Sequence, residues 1–278
     1  MTGTDSEAGE TQNQSRARTA AVILAGSRPG GDPLARAYGA EVKALVPIAE
    51  KAMLARVART LLKDEQVGRL LILAQEPEIF DSHDDTRHLA NDPGIEMVSI
   101  RETIALSMEG LMEQEGFPYP VLVTTADNVL LDQAMIAHFL SQAAGSDIAV
   151  AVVEQDVLMA GYPQSRRTWL SLRGGRYSGA NLFYFGSPEA RRILRYWAEV
   201  EQDRKKGWKL LTIFGPWLLL RALFRSLSID DLARHVGAKL GLKTKVVQMP
   251  QAEACIDVDK ESDVALAEQI LAARNGKS

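Results

Sequence analysis

Cysteine is almost absent from this sequence: Cys255 stands alone among 278 residues. A single thiol excludes an internal disulfide framework and a cysteine-built metal cluster, and it suits a reducing compartment. Charge of one sign is also lacking, since 32 Lys and Arg face 36 Asp and Glu for a net charge of −4. A protein whose main task is gripping nucleic-acid backbone normally carries a basic excess, so that class is set aside. No apolar run is long enough to cross a bilayer, and the N-terminus shows no signal-peptide core. These absences lead to the expectation of a cytoplasmic globular protein. What remains is ordinary for that class: 46% hydrophobic and 24% charged residues, enough to bury a substantial core.

Residues 1–18 are polar, without apolar period, and read as a disordered tail. Order starts abruptly at Thr19-Ala-Ala-Val-Ile-Leu-Ala25, an apolar run ended by Gly26 that predicts a buried strand. Similar runs recur at 69–74, 96–100, 121–125 and 148–153, with helical spacing at 53–63, 104–115 and 133–143 between them. Such alternation predicts a mostly parallel sheet covered by helices on both faces, a Rossmann-like three-layer α/β/α arrangement. Beyond Val153 it fails. Strands at 169–172 and 177–185 flank the turn Arg173-Gly-Gly175, which predicts an antiparallel pair. Helices are expected at 188–202 and 208–224, and another from the capping box Ser228-Ile-Asp-Asp231. A last strand near 245–249 precedes a helix at 261–273. The expectation is one domain over 19–278 with a helical insertion at 188–242.

The loop Ala25-Gly-Ser-Arg-Pro-Gly-Gly31 follows the first strand directly. In an open α/β sheet, ligands bind outside the carboxyl ends of strands, where glycine lets backbone N–H groups approach phosphate. Two familiar phosphate loops are excluded. Gly26 and Gly31 have P-loop outer spacing, but Asp32-Pro33 replaces the required Lys and Ser/Thr. Ser27-Arg28 after Gly26 breaks the dinucleotide G-x-G-x-x-G pattern. Alone, the loop fits a surface turn as well as a phosphate cradle.

Twelve residues beyond Gly31 comes Lys43-Ala-Leu-Val-Pro-Ile-Ala-Glu-Lys-Ala-Met-Leu54. Together with Leu24-Ala-Gly-Ser-Arg28, it resembles the nucleotidyltransferases related to molybdenum cofactor guanylyltransferase, sugar-1-phosphate uridylyltransferases and cytidylyltransferases, which share the GT-A type fold. Their opening signature is roughly L-A-G-G, a glycine and arginine loop, then K-x-L-x-x-[IV]-x-G-K-P-[ML]-L. This chain departs from it with Ser27 for the second glycine, Glu50 for the glycine before Lys51, and Ala52 for the proline. The resemblance implies that Leu24, Ala25, Gly26 and Ser27 bind the nucleotide. It implies too that Arg28 meets triphosphate oxygens and Lys43 lies near the α-phosphate, roles suited to a forked guanidinium and a compact ammonium.

Val121-Leu-Val-Thr-Thr-Ala-Asp-Asn-Val129 places Asp127 just past a strand, where relatives have T-x-A-D-x-P-[LF] and the aspartate binds Mg²⁺. An isolated Asp there would fit a turn or helix cap; the resemblance makes Asp127 the metal ligand beside the nucleotide phosphates. Ile256-Asp-Val-Asp-Lys-Glu-Ser-Asp263 resembles the family's closing element D-[IV]-D-T-P-E-D. It implies that Asp259 completes the metal site, with Asp257, expected on the opposite side of an extended segment, as runner-up. Asp259 as N-cap of the last helix is the other reading, and the two are compatible. Carboxylates from two strand ends form a hard oxygen site suited to Mg²⁺.

The segment from Glu102 to Leu111 resembles the family's G-x-x-x-S-[LIV]-x-x-[AG]-L, which puts Ser107 beside base and sugar; a plain helix serine is the alternative. Arg176-Tyr-Ser-Gly-Ala-Asn181 resembles the segment lining the acceptor side, implying that Asn181 and Arg176 bind the acceptor. Arg173, Arg166 and Arg167 are further candidates for its phosphate. The stretch 208–225 is apolar between Lys209 and Arg221. It reads either as a buried helical hairpin kinked at Gly215-Pro216, or as a cover or interfacial surface giving peripheral membrane contact. His83-Asp-Asp-Thr-Arg-His88 is read as a solvated loop, and Cys255 as a small buried residue.

The resulting expectation is a Mg²⁺-dependent transfer of a nucleoside monophosphate from an NTP to a phosphorylated acceptor, a sugar, polyol or lipid head-group precursor. Two rivals use the same residues differently. A glycosyltransferase of the same fold would take a nucleotide sugar and need not keep the 43–54 segment. A non-catalytic nucleotide-binding regulator would fit the degenerate Glu50-Lys-Ala52.

Overall fold

The structure, a computed structural model, describes residues 18–27, 30–100, 103–202 and 226–276. Arg28, Glu102, the expected tail up to residue 17 and the 208–225 stretch lie outside the described residues.

The central sheet has the strand order β10-β7-β9-β6-β1-β4-β5, with β8 paired to β9. Its strands are β1 (Thr19–Leu24), β4 (Val67–Ala74), β5 (Ile95–Ser99), β6 (Val121–Thr125), β7 (Ile148–Glu154), β8 (Leu170–Leu172), β9 (Gly175–Phe185) and β10 (Thr244–Gln248). Strand β1 pairs in parallel with β4 on one side and β6 on the other. The chain moves outward from β1 to β4 and β5, then returns to the other side of β1 with β6. That reversal opens a crevice at the carboxyl ends of β1 and β6, the ligand position of open α/β sheets. Strand β9 runs antiparallel between β6 and β7, and β10 is parallel to β7. The mostly parallel sheet read from the apolar runs is therefore present, with β9 as its antiparallel member.

Both faces are covered. Alternate residues of β1 point to opposite sides: Ala21 and Ile23 join one apolar cluster, Ala20, Val22 and Leu24 the other. The first cluster is closed by α2 (Met53–Leu62), α6 (Gln133–Ala143) and the C-terminal helix α10 (Glu261–Asn275). The second is closed by α5 (Ile104–Met112), α8 (Arg192–Gln202) and α9 (Ile229–Leu240). The described helices of the 188–242 stretch pack on this face of the sheet. Leu194 is fully buried against this face, and Arg195 Nε donates to Glu109 Oε1 of α5 at 2.5 Å. Helix α9 begins where the sequence predicts: Ser228 Oγ accepts from Asp231 N and Asp231 Oδ2 accepts from Ser228 N.

Short elements escape the sequence reading. Asp32 caps α1 (Pro33–Ala37), accepting from Leu34 N at 2.8 Å, with proline at the first turn. Strands β2 (Pro47–Ile48) and β3 (Lys51–Ala52) make a hairpin, and α7 (Gln155–Gly161) follows β7. The 83–88 segment, read as a solvated loop, lies between α3 (Ile79–Ser82) and α4 (Arg87–Ala90) and runs into the first turn of α4. Thr86 within it is fully buried, its Oγ1 donating to Phe80 O at 2.8 Å. Asp84, Arg87 and His88 are exposed, as a solvated loop requires, and Thr86 is the residue of this segment that turns inward to a backbone group.

Candidate functional site

Gly26 lies just past the end of β1. A Cβ on it would come within 3.1 Å of Ile104 and 3.2 Å of Gln75 and Ile100, so a larger residue would push these side chains aside. Leu24, Ala25, Gly26, Lys43 and Asp127 line one small cavity of about 30 Å³ at the β1/β6 crevice. Lys43 opens a short 3₁₀ turn, Lys43–Leu45, on the chain entering the β2–β3 hairpin. That hairpin is held from three sides. Glu268 Oε1 accepts from Ala49 N, Arg56 donates to the carbonyls of Ile48 and Ala49, and Asp85 accepts from Lys51 Nζ and Ala52 N.

Asp127 sits two residues past β6. Its backbone carbonyl accepts from Val258 N at 3.2 Å, which lays the 256–259 segment alongside it. Ile256 and Val258 are fully buried, so the period-two alternation of extended chain sends Asp257 and Asp259 together to the other side. Asp257 is therefore not opposite Asp259, as expected from the sequence, but beside it. Carboxylate oxygens of Asp127, Asp257 and Asp259 lie within 4.8 Å of one another. Nor does Asp259 cap the last helix; Lys260 holds the N-cap position, and Asp259 N donates to Asp263 Oδ2.

Lys43 joins this cluster to the glycine loop. Its Nζ lies 2.6 Å from Asp127 Oδ2 and 2.5 Å from Asp259 Oδ1. Burial works against its charge, but the two carboxylates outweigh burial and hold its pKa above the ordinary lysine value. Thr125 Oγ1 donates to Asp127 Oδ1 at 2.5 Å and fixes that carboxylate from the strand side.

Asp257 has a separate set of partners. Arg167 Nη1 donates to its Oδ1 and Nη2 to its backbone carbonyl, while Nη2 also lies 3.5 Å from Asp263 Oδ1. Asn181 Nδ2 donates to Asp257 Oδ2 at 3.1 Å. Burial pushes the Asp257 carboxyl up, against the pull of Arg167; Asp127 and Asp259 add to the rise. Asn181 can reach because its backbone is left-handed, φ 48°, within a bulge where the β7–β9 register shifts. Asparagine tolerates that conformation better than most residues, and bulges commonly re-aim a side chain next to a site.

The structure thus brings together Leu24, Ala25, Gly26, Lys43, Asp127, Asp259 and Asn181. Ser27 lies beside them, but its N–H donates to Gln75 Oε1 at 2.7 Å and its carbonyl accepts from Gln75 Nε2. Ser107 lies on the adjoining groove, about 670 Å³, between β5 and α5; Ile104, one turn earlier, is the part of α5 that meets Gly26. Arg176 is exposed on the β8–β9 hairpin, opposite Ser171 and five residues along β9 from Asn181. Arg173 is engaged by Asp231 at 3.1 Å. Cys255 is buried, and burial pushes its thiol up to about 12.

Sequence reasoning missed Gln75 and underused Arg167. Gln75 follows the last residue of β4, the neighbour of β1, so a polar residue at a carboxyl strand end was the available signal. For Arg167 nothing local pointed to Asp257, 90 residues away.

As to a metal, the three carboxylates offer hard oxygen donors at a partly exposed crevice, a donor set that fits Mg²⁺.

A comparison with curated protein sequences returns no significant match. Among solved structures, a hypothetical transferase from Thermus thermophilus is similar at a TM-score of 0.73 and 24% identity, over 89% of this chain and 99% of that one. A 4-diphosphocytidyl-2C-methyl-D-erythritol synthase from Anaerococcus prevotii is similar at 0.52 and 11% identity, over 92% of this chain and 98% of that one. CMP:2-keto-3-deoxy-manno-octonic acid synthetase, complexed with CTP, is similar at 0.53 and 11% identity, over 92% and 99%. At these identities the likeness shows a shared fold. The model of the MobA-like NTP transferase domain matches residues 21–233, from β1 through the carboxylate-bearing β6 and into α9, so the chain belongs to that family.

Proposed function

We propose that the protein transfers a nucleoside monophosphate from an NTP to a phosphorylated small-molecule acceptor, releasing pyrophosphate. The observation that carries this reading is Lys43 joined to both Asp127 and Asp259 at the β1/β6 crevice, beside a glycine at which a Cβ would be tightly packed.

In this mechanism an oxygen of the acceptor phosphate attacks the α-phosphorus in line. The new P–O bond forms as the bond to the bridging α–β oxygen breaks, and pyrophosphate carries away the electron pair. No protein nucleophile is required; positioning and charge neutralisation suffice. The backbone of Ala25 and Gly26 receives the nucleotide at the end of β1. Lys43 turns from the carboxylates to the α-phosphate oxygens, where its ammonium offsets the charge that builds at the pentacoordinate stage. Asp127 and Asp259 would hold Mg²⁺, which when bound supplies Lewis-acid neutralisation of the phosphates. Asn181, Asp257 and Arg167 form the wall on the β9 side, where the acceptor would lie. Arg28 is assigned to the triphosphate from the motif alone, and Arg176 to the acceptor in the same way.

The glycosyltransferase reading has less to support it, because Lys43 would have no α-phosphate task to explain its place in the crevice. The regulator reading rested on Glu50-Lys-Ala52. Those residues form an intact hairpin whose departures from the family pattern leave Lys43 in position.

Pyrophosphate release should be measured with ATP, GTP, CTP and UTP against a panel of sugar, polyol and head-group phosphates, with Mg²⁺. At least one pair should give turnover, and Asp127→Ala should abolish it. Turnover undiminished in Asp127→Ala overturns the mechanism, and free nucleotide released from a nucleotide sugar favours the glycosyltransferase instead.

A further inference from the structure

Away from the crevice, a concavity of about 640 Å³ opens between α2, the α3–α4 segment and the C-terminal end of α10. Its volume is that of a small-molecule site. Arg56, Arg59 and Lys63 fall three and four residues apart along α2, so they stack on one face of that helix and line the concavity. Lys51 and Arg274 face them from β3 and α10. Against these five cations the lining holds two carboxylates, Asp84 and Asp85, in a chain whose net charge is −4.

The two carboxylates are already committed. Asp85 pairs with Lys51 at 2.9 Å, and Asp84 pairs with Arg87. Arg56 is spent on the carbonyls of the β2–β3 hairpin, and Arg274 on Leu130 O and Asp132. Among the described residues, Arg59 and Lys63 have no carboxylate within ion-pair distance. Both are exposed and turned to the concavity, above an apolar floor that includes Val129 and Leu271.

We infer that this concavity binds a soluble, multiply charged phosphorylated small molecule as an effector, with Arg59 and Lys63 as its phosphate contacts. The mixed lining suits such a ligand: phosphate on the α2 cations, a less polar body on the floor. Its place gives it a route to the crevice. Val129 follows Asp127 by two residues, and Lys51 lies on the hairpin that Lys43 enters. An occupant therefore bears on the two segments that carry Lys43 and Asp127. The binding claim stands apart from the proposed transfer reaction.

The test is calorimetric titration with inorganic tripolyphosphate in EDTA, using the full-length protein and two variants. In Lys43→Met the crevice loses its phosphate-facing cation, and in Arg59→Gln/Lys63→Gln the concavity loses its contacts. Circular dichroism checks that both variants are folded. One saturable site per chain should persist in Lys43→Met and weaken about tenfold or more in Arg59→Gln/Lys63→Gln. Equal affinity in the wild type and Arg59→Gln/Lys63→Gln overturns the inference, as does the lack of saturable binding to Lys43→Met. Pyrophosphate release by Arg59→Gln/Lys63→Gln separately reports the transfer reaction, so failure of one idea is not failure of the other.

Discussion

Glu50 stands at φ 64° and Ala49 at φ 45°, both left-handed, in the two-residue turn of the β2–β3 hairpin. Turns of this kind normally carry asparagine or glycine, because a Cβ costs about 1 kcal/mol or more in that region. Glu50→Gly should therefore raise the melting temperature by about 2 °C in a thermal scan; an unchanged or lower value contradicts that reading of the turn. Arg167 is a positioning residue of a different kind, almost buried and shared between Asp257 and Asp263. Removing it leaves carboxylates without their partner, so Arg167→Met should cost about 3 kcal/mol in denaturant unfolding. The loss should shrink in an Asp257→Asn background; an undiminished loss would mean that Arg167 acts through packing. That Lys43, Asp127 and Asp259 come together was legible in the sequence because each sits in a local motif of the resembled family. Gln75 and Arg167 were not, since each acts on a residue 48 or 90 positions away that only the fold brings near.

The elements that carry the site are pinned by side chains from elsewhere. The β2–β3 hairpin depends on Asp85, whose carboxyl is held below its usual value: burial raises it, but the hydrogen bonds from Lys51 and Ala52 outweigh burial. A carboxyl with a depressed folded pKa contributes stability above its unfolded value and loses it as pH falls through the folded one. That window opens below the ordinary value of 3.8. Melting temperatures from pH 6 to pH 3 should fall further for the wild type than for Asp85→Asn, and parallel curves would show that Asp85 carries no such linkage. Buried strands and the longer helices were legible, the strands as apolar runs and the helices from their period: β1, β6, α2 and α6 lie within a few residues of their expected bounds. Helices of seven residues or fewer, α1, α3, α4 and α7, were not, because one or two turns of helix give too little periodicity to stand out. The bulge of β9 was invisible for a related reason, as Asn181 looks like any strand residue until its partner Asp257 is in place.

Across the whole molecule, the alternation of apolar runs fixed the sheet class, and the order reversal at β1 fixes where a ligand can sit. The site then draws on β1, the hairpin, β6, β9 and the segment before α10, spanning most of the described chain. This is how an acidic protein can serve an anionic substrate. Under the proposed function, local cations and a bound Mg²⁺ would supply the field, whatever the sign of the net charge of −4. The central claim is that Lys43, Asp127 and Asp259 form one Mg²⁺–NTP site. Equilibrium binding of the preferred NTP, with and without Mg²⁺, tests it most directly. The account predicts one nucleotide per chain, dependence on Mg²⁺ that disappears in Asp127→Asn, and affinity about tenfold or more weaker in Lys43→Met. Magnesium-independent binding that neither substitution changes would contradict it.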